Sequence, residues 1–356
     1  MATSTQGPAV FMPRKQTPEG SSLTRSQLGA VGAGLLLAGV ALLVVGWSAP
    51  LVLFAKAVLV LAGVIVASQG LSRIVWAVRG RRPDILVYLC SAWLIALITV
   101  AVLAPVLPLG EHVDVASALT APTYQTPELL SEHPLGTNNY GLDLLARSIY
   151  GARTSLMISL LAVAIGTVVG GAIGIVAGYF RSGVDSVVGI FTNALLAVPP
   201  LILLIALGTV LDPKIRNIAL ALAIITIPSM IRLARANTIA FAQREFVLAA
   251  RAMGATRLRV MVRELTPNVM LPVFSMMIVM ISVLIVAEAS LSFLGLGIQA
   301  PEPTWGNMIS EGEGGTMQDF PHVVLVPGTF LFLTVFSFNL LGEKAQKRWD
   351  ARSAKI

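Results

Sequence analysis

Long apolar runs and short polar breaks alternate along the whole chain. Eight runs stand out, at roughly 28–47, 51–70, 85–105, 153–178, 188–210, 217–235, 271–295 and 323–341. A hydrocarbon core about 30 Å thick takes about 20 helical residues. Each run meets that length, so the pattern predicts an all-α, polytopic membrane protein with eight transmembrane helices. Residues 1–27 are polar and rich in Ser, Thr and Pro. They lack the short apolar region and small-residue cleavage site of a signal peptide, and read as a disordered cytoplasmic tail. Only Trp47 to Pro50 separates the first two runs, which predicts a tight helical hairpin. The Arg-rich stretch from Arg73 to Arg82 then sets that hairpin apart from the third run. The expected organisation is a tail at 1–27, an N-terminal hairpin with a basic linker at 28–84, and a second unit at 85–356.

Composition agrees with the pattern. The chain is 56% hydrophobic and 12% charged, against about 25% charged in an ordinary soluble domain. So little polar surface cannot coat a water-soluble globule. The lone Cys90 excludes a disulfide framework within the chain and any cysteine metal cluster. The net charge of +7 does not point to nucleic acid, because a basic nucleic-acid-binding domain is not this apolar. With both termini inside, 20 of the 25 basic residues fall on the inner side of the eight runs, as the positive-inside rule requires. Glu111, Asp114, Glu128, Glu132 and Asp143 share one outer loop.

Little catalytic chemistry is visible. No Gly-x-x-x-x-Gly-Lys-Ser/Thr run exists, so the chain carries no P-loop, and it has neither a nucleophile elbow nor a zinc-protease helix. His112, His133 and His322 all fall outside, at spacings that match no compact metal motif. Lys56 sits within the second run and reads as a snorkelling residue. Glu288 is the one acid inside a run, with Ser290 and Ser292 close by. A carboxylate there is costly and must face the bundle interior, a wet path or a partner. Two readings follow: a group lining a wet path, able to meet an ammonium, or a structural hydrogen-bond acceptor between helices. Gly166, Gly170, Gly174 and Gly178 recur every four residues and form a smooth stripe for close helix packing, within this chain or against a second subunit. Pro199–Pro200 and Pro228 predict kinks.

The longest break between later runs is 236–270. A loop that merely joined two spans could be far shorter. Its apolar positions Phe246, Ala249, Ala250 and Met253 suit one face of a short helix, either lying on lipid headgroups or docking into a partner. The stretch from Glu245 through Phe246, Ala249, Ala250, Arg251 and Gly254 to Ala255, with Arg263-Glu-Leu-Thr-Pro267-Asn after it, resembles the EAA loop of ABC-importer permeases. More narrowly, the chain from about residue 85 onward resembles the C-type permease of dipeptide and oligopeptide importers, the DppC/OppC family. His133-Pro-Leu-Gly-Thr, Tyr150-Gly-Ala-Arg-Thr-Ser155, Gly178-Tyr-Phe-Arg181, Glu288-Ala-Ser-Leu-Ser-Phe-Leu-Gly-Leu-Gly297, Pro303-Thr-Trp-Gly-Asn-Met308 and Phe338-Asn-Leu-Leu-Gly342 follow in the family's order.

The resemblance implies a type I permease core at 85–356 in the bacterial inner membrane. It implies alternating access driven by ATP, with no cofactor bound by this chain and with ATP and Mg held by partner subunits. The implied partners are a second, B-type permease, two ATP-binding subunits, an extracytoplasmic substrate-binding protein and membrane lipid. Ala249 and Ala250 become the small contact residues of a coupling helix, Gly254 its sharp turn, and Pro267 the end of the loop. Glu288, Ser292 and Asn193 become path or gate positions. The chain departs from the family at Asn138, Leu142, Asn193, Glu264 and Ala351, and in the added hairpin. Importers of nickel complexes or other small solutes share these motifs. An autonomous secondary transporter is the rival of a different class, but no internal repeat supports it.

Overall fold

The computed structural model describes residues 23–48, 53–80, 84–128 and 131–353. Among them every regular element is helical, and the one extended pairing is an isolated bridge between Thr137 and Asp143. The chain divides into two units, 1–89 and 90–356.

In the first unit α1 (Arg25–Ser48) and α2 (Leu53–Arg79) pack against each other. Glycines let the backbones touch. A Cβ on Gly39 would lie 2.4 Å from the Ala67 nitrogen, and one on Gly70 2.4 Å from the Leu36 nitrogen. The predicted tail at 1–27 lies outside the described residues up to residue 22, as do the turn at 49–52 and the side chain of Lys56.

The second unit is built on α4 (Leu144–Phe180) and α7 (Ile215–Phe241), with α10 (Thr266–Phe293) and α13 (His322–Ser353) packed on them. Ile158, Ala162 and Val163 of α4, Leu222 of α7 and Ile285 of α10 are fully buried in this core. From residue 90 on, α3 (Ile85–Leu103) joins the unit, and its Trp93 Nε1 donates to Thr334 Oγ1 at 3.2 Å. Between α4 and α7 lie α5 (Ser182–Ala197) and α6 (Pro200–Val210). The loop after α7 carries α8 (Glu245–Ala252) and the short turn α9 (Arg257–Arg259). Before α13 come α11 (Trp305–Glu311) and α12 (Thr316–Asp319).

Six helices among the described residues are long and apolar enough to cross a membrane: α1, α3, α4, α7, the α9–α10 stretch and α13. The run expected at 188–210 as one span is instead two helices bent by 87° at a break before Pro200, and as a pair they make a seventh. A kink was expected at Pro199–Pro200. A full break results because consecutive prolines remove two successive N–H donors and hold Pro199 in an extended conformation. The expected span at 51–70 begins outside the described residues, and α2 is not among the six.

Side chains set the starts of α4 and α11. Asp143 caps α4, accepting from the Ala146 N–H at 2.6 Å. Thr304 and Asn307 form a reciprocal capping box on α11. The cap at Asp143 starts α4 nine residues before the expected span at 153. With 37 residues, α4 is about 55 Å long, against about 30 Å of hydrocarbon.

Candidate functional site

The loop between α7 and α10 folds into a compact knot. Two side chains anchor α8: Val247 and Ala250 are buried with Val260 and Leu265, beside Phe246, Ala255 and Tyr179. The helix closes by a Schellman arrangement, in which the Ala255 N–H donates to the Ala250 carbonyl at 3.0 Å and the Gly254 N–H to the Arg251 carbonyl at 2.9 Å. That closure needs a left-handed residue, and Gly254 supplies it with φ +81°. Thr256 caps the next turn, and residues 260–265 widen into π turns directly before Pro267. The proline ring leaves no room for an ordinary i−4 bond there. Thr266 Oγ1 takes up the Met261 carbonyl at 2.8 Å, and Asn268 Nδ2 takes up that of Glu264 at 2.7 Å.

The two central alanines part company. Ala250 faces inward, whereas Ala249 is exposed with Glu245, Leu248 and Met253. Met253, at 82% exposure, and Leu258, at 66%, are large apolar side chains left open on this knot. Arg251 is also exposed, but its guanidinium sits 5.2 Å above the Tyr179 ring at the end of α4.

The glycine stripe of α4 packs on α7 of the same chain. A Cβ on Gly166 would lie 2.6 Å from Thr226 Cγ2, and one on Gly170 2.7 Å from the Ile227 carbonyl oxygen. On Gly178 it would lie 2.7 Å from the Arg235 carbonyl oxygen. Near the same end, Arg235 grips Asp185 of α5 with two bonds, Nη2 to Oδ2 at 2.6 Å and a shorter one from Nε. Asn193 is exposed on α5 and accepts from Arg232 Nη2 at 3.4 Å.

Glu288 is fully buried on α10. One carboxylate oxygen accepts from Ser292 Oγ and the other from Ser155 Oγ of α4, each at 2.7 Å. The acid therefore ties α10 to α4. Glu288→Leu strands two serine hydroxyls and should cost about 2–4 kcal/mol, whereas Glu288→Gln keeps a hydrogen-bonding side chain and should cost less. Thermal melting of the purified chain checks this. A parent-like melt for Glu288→Leu would remove the structural role.

Comparison with known proteins decides what this arrangement belongs to. Residues 170–355 match the family described as "Binding-protein-dependent transport system inner membrane component". The dipeptide transport system permease protein DppC of Alkalihalophilus pseudofirmus is 32% identical over 255 residues, 72% of this chain and 82% of that protein. The chain belongs to this permease family. The glutathione transport system permease protein GsiD of Pectobacterium atrosepticum is 35% identical, over 62% of this chain and 73% of that one. DppC of Haemophilus influenzae is 34% identical over 61% and 74%. A solved structure of the MetNI methionine ABC transporter aligns at a TM-score of 0.45 and 20% identity, covering 58% of this chain and 96% of that one.

This permease, a multi-pass inner-membrane protein, also holds a polar network that the sequence did not reveal. Arg147, 1% exposed, forms an ion pair with Glu311 of α11 and donates from Nη1 to the His112 carbonyl at 3.1 Å. Asn138 Nδ2 donates to the other Glu311 oxygen at 2.9 Å, and Asn138 Oδ1 accepts from the N–H groups of Tyr140 and Leu142. An Asp at position 138 would set a second carboxylate against Glu311; Asn138 supplies a donor instead. Trp305 is fully buried and donates to the Ser148 carbonyl at 3.0 Å. Arg147 and Glu311 stand 164 residues apart, and no local pattern in the sequence joins them.

The segment before α4 responds to acid. Glu111 accepts the N–H groups of Asp114, Val113 and His112, which pull its pKa down to about 2. The His112 ring stacks on Tyr150 with centroids 3.6 Å apart. Burial pushes its pKa below 6.5 and the Arg147 charge adds to this, while Glu111 and Glu302 oppose it. The folded state thus prefers neutral His112, and that stability is lost as pH falls below 6.5. The contribution of Glu111 is full above 4.5 and fades as pH falls toward 2. Melting followed from pH 7.5 down to 5 should show a falling midpoint in the parent. The slope should flatten in His112→Phe, which keeps the ring stack without the titration.

Proposed function

We propose that this permease is the translocating subunit of an ATP-driven importer of dipeptides and short oligopeptides. The knot at 245–267 is its contact with an ATP-binding subunit. The observation that carries this reading is the division within α8. Val247 and Ala250 fasten the helix to its own chain, while Leu248, Ala249 and Met253 stay open. A helix held on one side and bare on the other suits a groove in a partner. Small Ala249 permits close backbone approach, and a Cβ at Gly254 would meet nothing within 4 Å, so the turn is open to a neighbour.

A second, B-type permease completes the path, with Glu288, Ser292 and Asn193 near it, and both termini lie on the cytoplasmic side. A binding protein delivers substrate to the surfaces at 106–150 and 296–322. ATP and Mg belong to the partner subunits, and switching of access follows from their different affinities for the two states. The peptide assignment draws on the relatives, which are named for dipeptides and glutathione.

Co-purification with the ATPase subunits and uptake of labelled dipeptide in a deletion strain test the proposal together. Deleting 246–258, or Gly254→Trp, should abolish both. Robust transport by the chain alone in liposomes would overturn the subunit assignment. Uptake of a nickel complex but no peptide would overturn the substrate.

A further inference from the structure

One cavity plays no part in the function above. It measures about 500 Å³ and lies within the first unit, between the second half of α2 and the start of α3. On α2 its wall includes Ile65, Gln69, Ser72, Arg73 and Trp76. Steps of four, three, one and three residues place these side chains on one helix face. Across the cavity stand Asp84, directly before α3, and Leu86 in its first turn. Among the described residues the lining combines the Arg73 guanidinium, the Asp84 carboxylate, neutral hydrogen-bonding groups and apolar walls.

That set describes an amphiphile with both charges in its head. A guanidinium fits phosphate oxygens by paired hydrogen bonds. A carboxylate accepts from a primary ammonium, which brings three donors. Trp76 supplies an apolar face of the kind that sits at the level of lipid headgroups. The volume lies within the range of small-molecule sites, enough for a headgroup but not for two acyl chains, which would run out along Ile65 and Leu86.

We propose that this cavity seats the headgroup of a membrane aminophospholipid, with its phosphate toward Arg73 and its ammonium toward Asp84. Phosphatidylcholine lacks ammonium donors and phosphatidylglycerol lacks the cation, so both should be held less well.

Native mass spectrometry of the full purified chain, reloaded with each of the three lipids, tests this. Phosphatidylethanolamine should be retained in preference to the other two. Arg73→Gln should lower its retention about fivefold, and Arg73→Lys should lower it less. Asp84→Asn should erase the preference over phosphatidylcholine. Leu86→Trp, which fills the cavity with an apolar side chain, provides a second route should Arg73→Gln fail to fold, and it should also cut retention. Soluble phosphoethanolamine should not displace the lipid. Displacement would assign the cavity to a free phosphate ester and overturn the proposal. So would equal retention of all three lipids, preference for phosphatidylglycerol, or retention unchanged in the variants.

Discussion

Gly174→Leu should leave almost no folded permease in the membrane. A Cβ at this position lies 2.6 Å from the Ile231 carbonyl oxygen, 2.8 Å from Ala234 Cβ and 3.0 Å from the Arg235 nitrogen. Two of these are backbone atoms of α7 and cannot swing aside like a side chain. Leucine adds three more carbons beyond that point. Overpacking in a core typically costs about 1–3 kcal/mol, and this clash can be relieved only by moving a whole helix. Its cost therefore exceeds that range and approaches the low end, about 5 kcal/mol, of a usual folding margin. The control is Gly171→Ala, where a Cβ meets nothing within 4 Å. Membrane abundance and the melting midpoint of the purified chain should collapse for the first and hold for the second. Equal midpoints would mean that α4 and α7 do not pack this way.

Arg147→Met should be nearly as severe. It removes a buried guanidinium from its ion pair with the part-buried Glu311, which keeps its contact with Asn138. Breaking one side of a buried pair costs about 3–5 kcal/mol. The His112 carbonyl loses its donor at the same time. The double variant Arg147→Met/Glu311→Met removes both charges and should recover part of the loss, because no uncompensated charge stays behind. A double variant as unstable as the single one would show that the guanidinium acts through its backbone contacts and not through Glu311.

The sequence announced most of the helices because length and apolarity determine them together. The runs at 28–47, 85–105, 217–235, 271–295 and 323–341 all lie within helices or overlap them closely. The start of α4 was harder. Arg147 and Ser148 look like loop residues in a one-dimensional pattern, and they are buried where the preceding segment and α11 meet them. The break before Pro200 was visible as a kink, but its 87° was not, since nothing local sets the direction of the chain after two prolines. In the loop after α7, the family resemblance implied a turn at Gly254, which takes φ +81°. The opposite fates of Ala249 and Ala250 were not legible. They are adjacent, equally small and equally apolar, and only the positions of Val260 and Leu265 distinguish them. Arg147 with Glu311, and Asp185 with Arg235, were out of reach for the same reason: each pair is made by tertiary contact across many intervening residues.

α4 also has a mechanical meaning. Arg147 at one end joins the polar network with α11, and Tyr179 at the other lies under Arg251 of α8. About 48 Å of unbroken helix separates the two. Such a rod acts as a pointer: tilting it by about 5° about one end swings the other through about 4 Å. The loop at 245–267 and the Arg147 network at the far end are therefore joined by a single rigid arm, and slack at either end would show as lost stroke at the other.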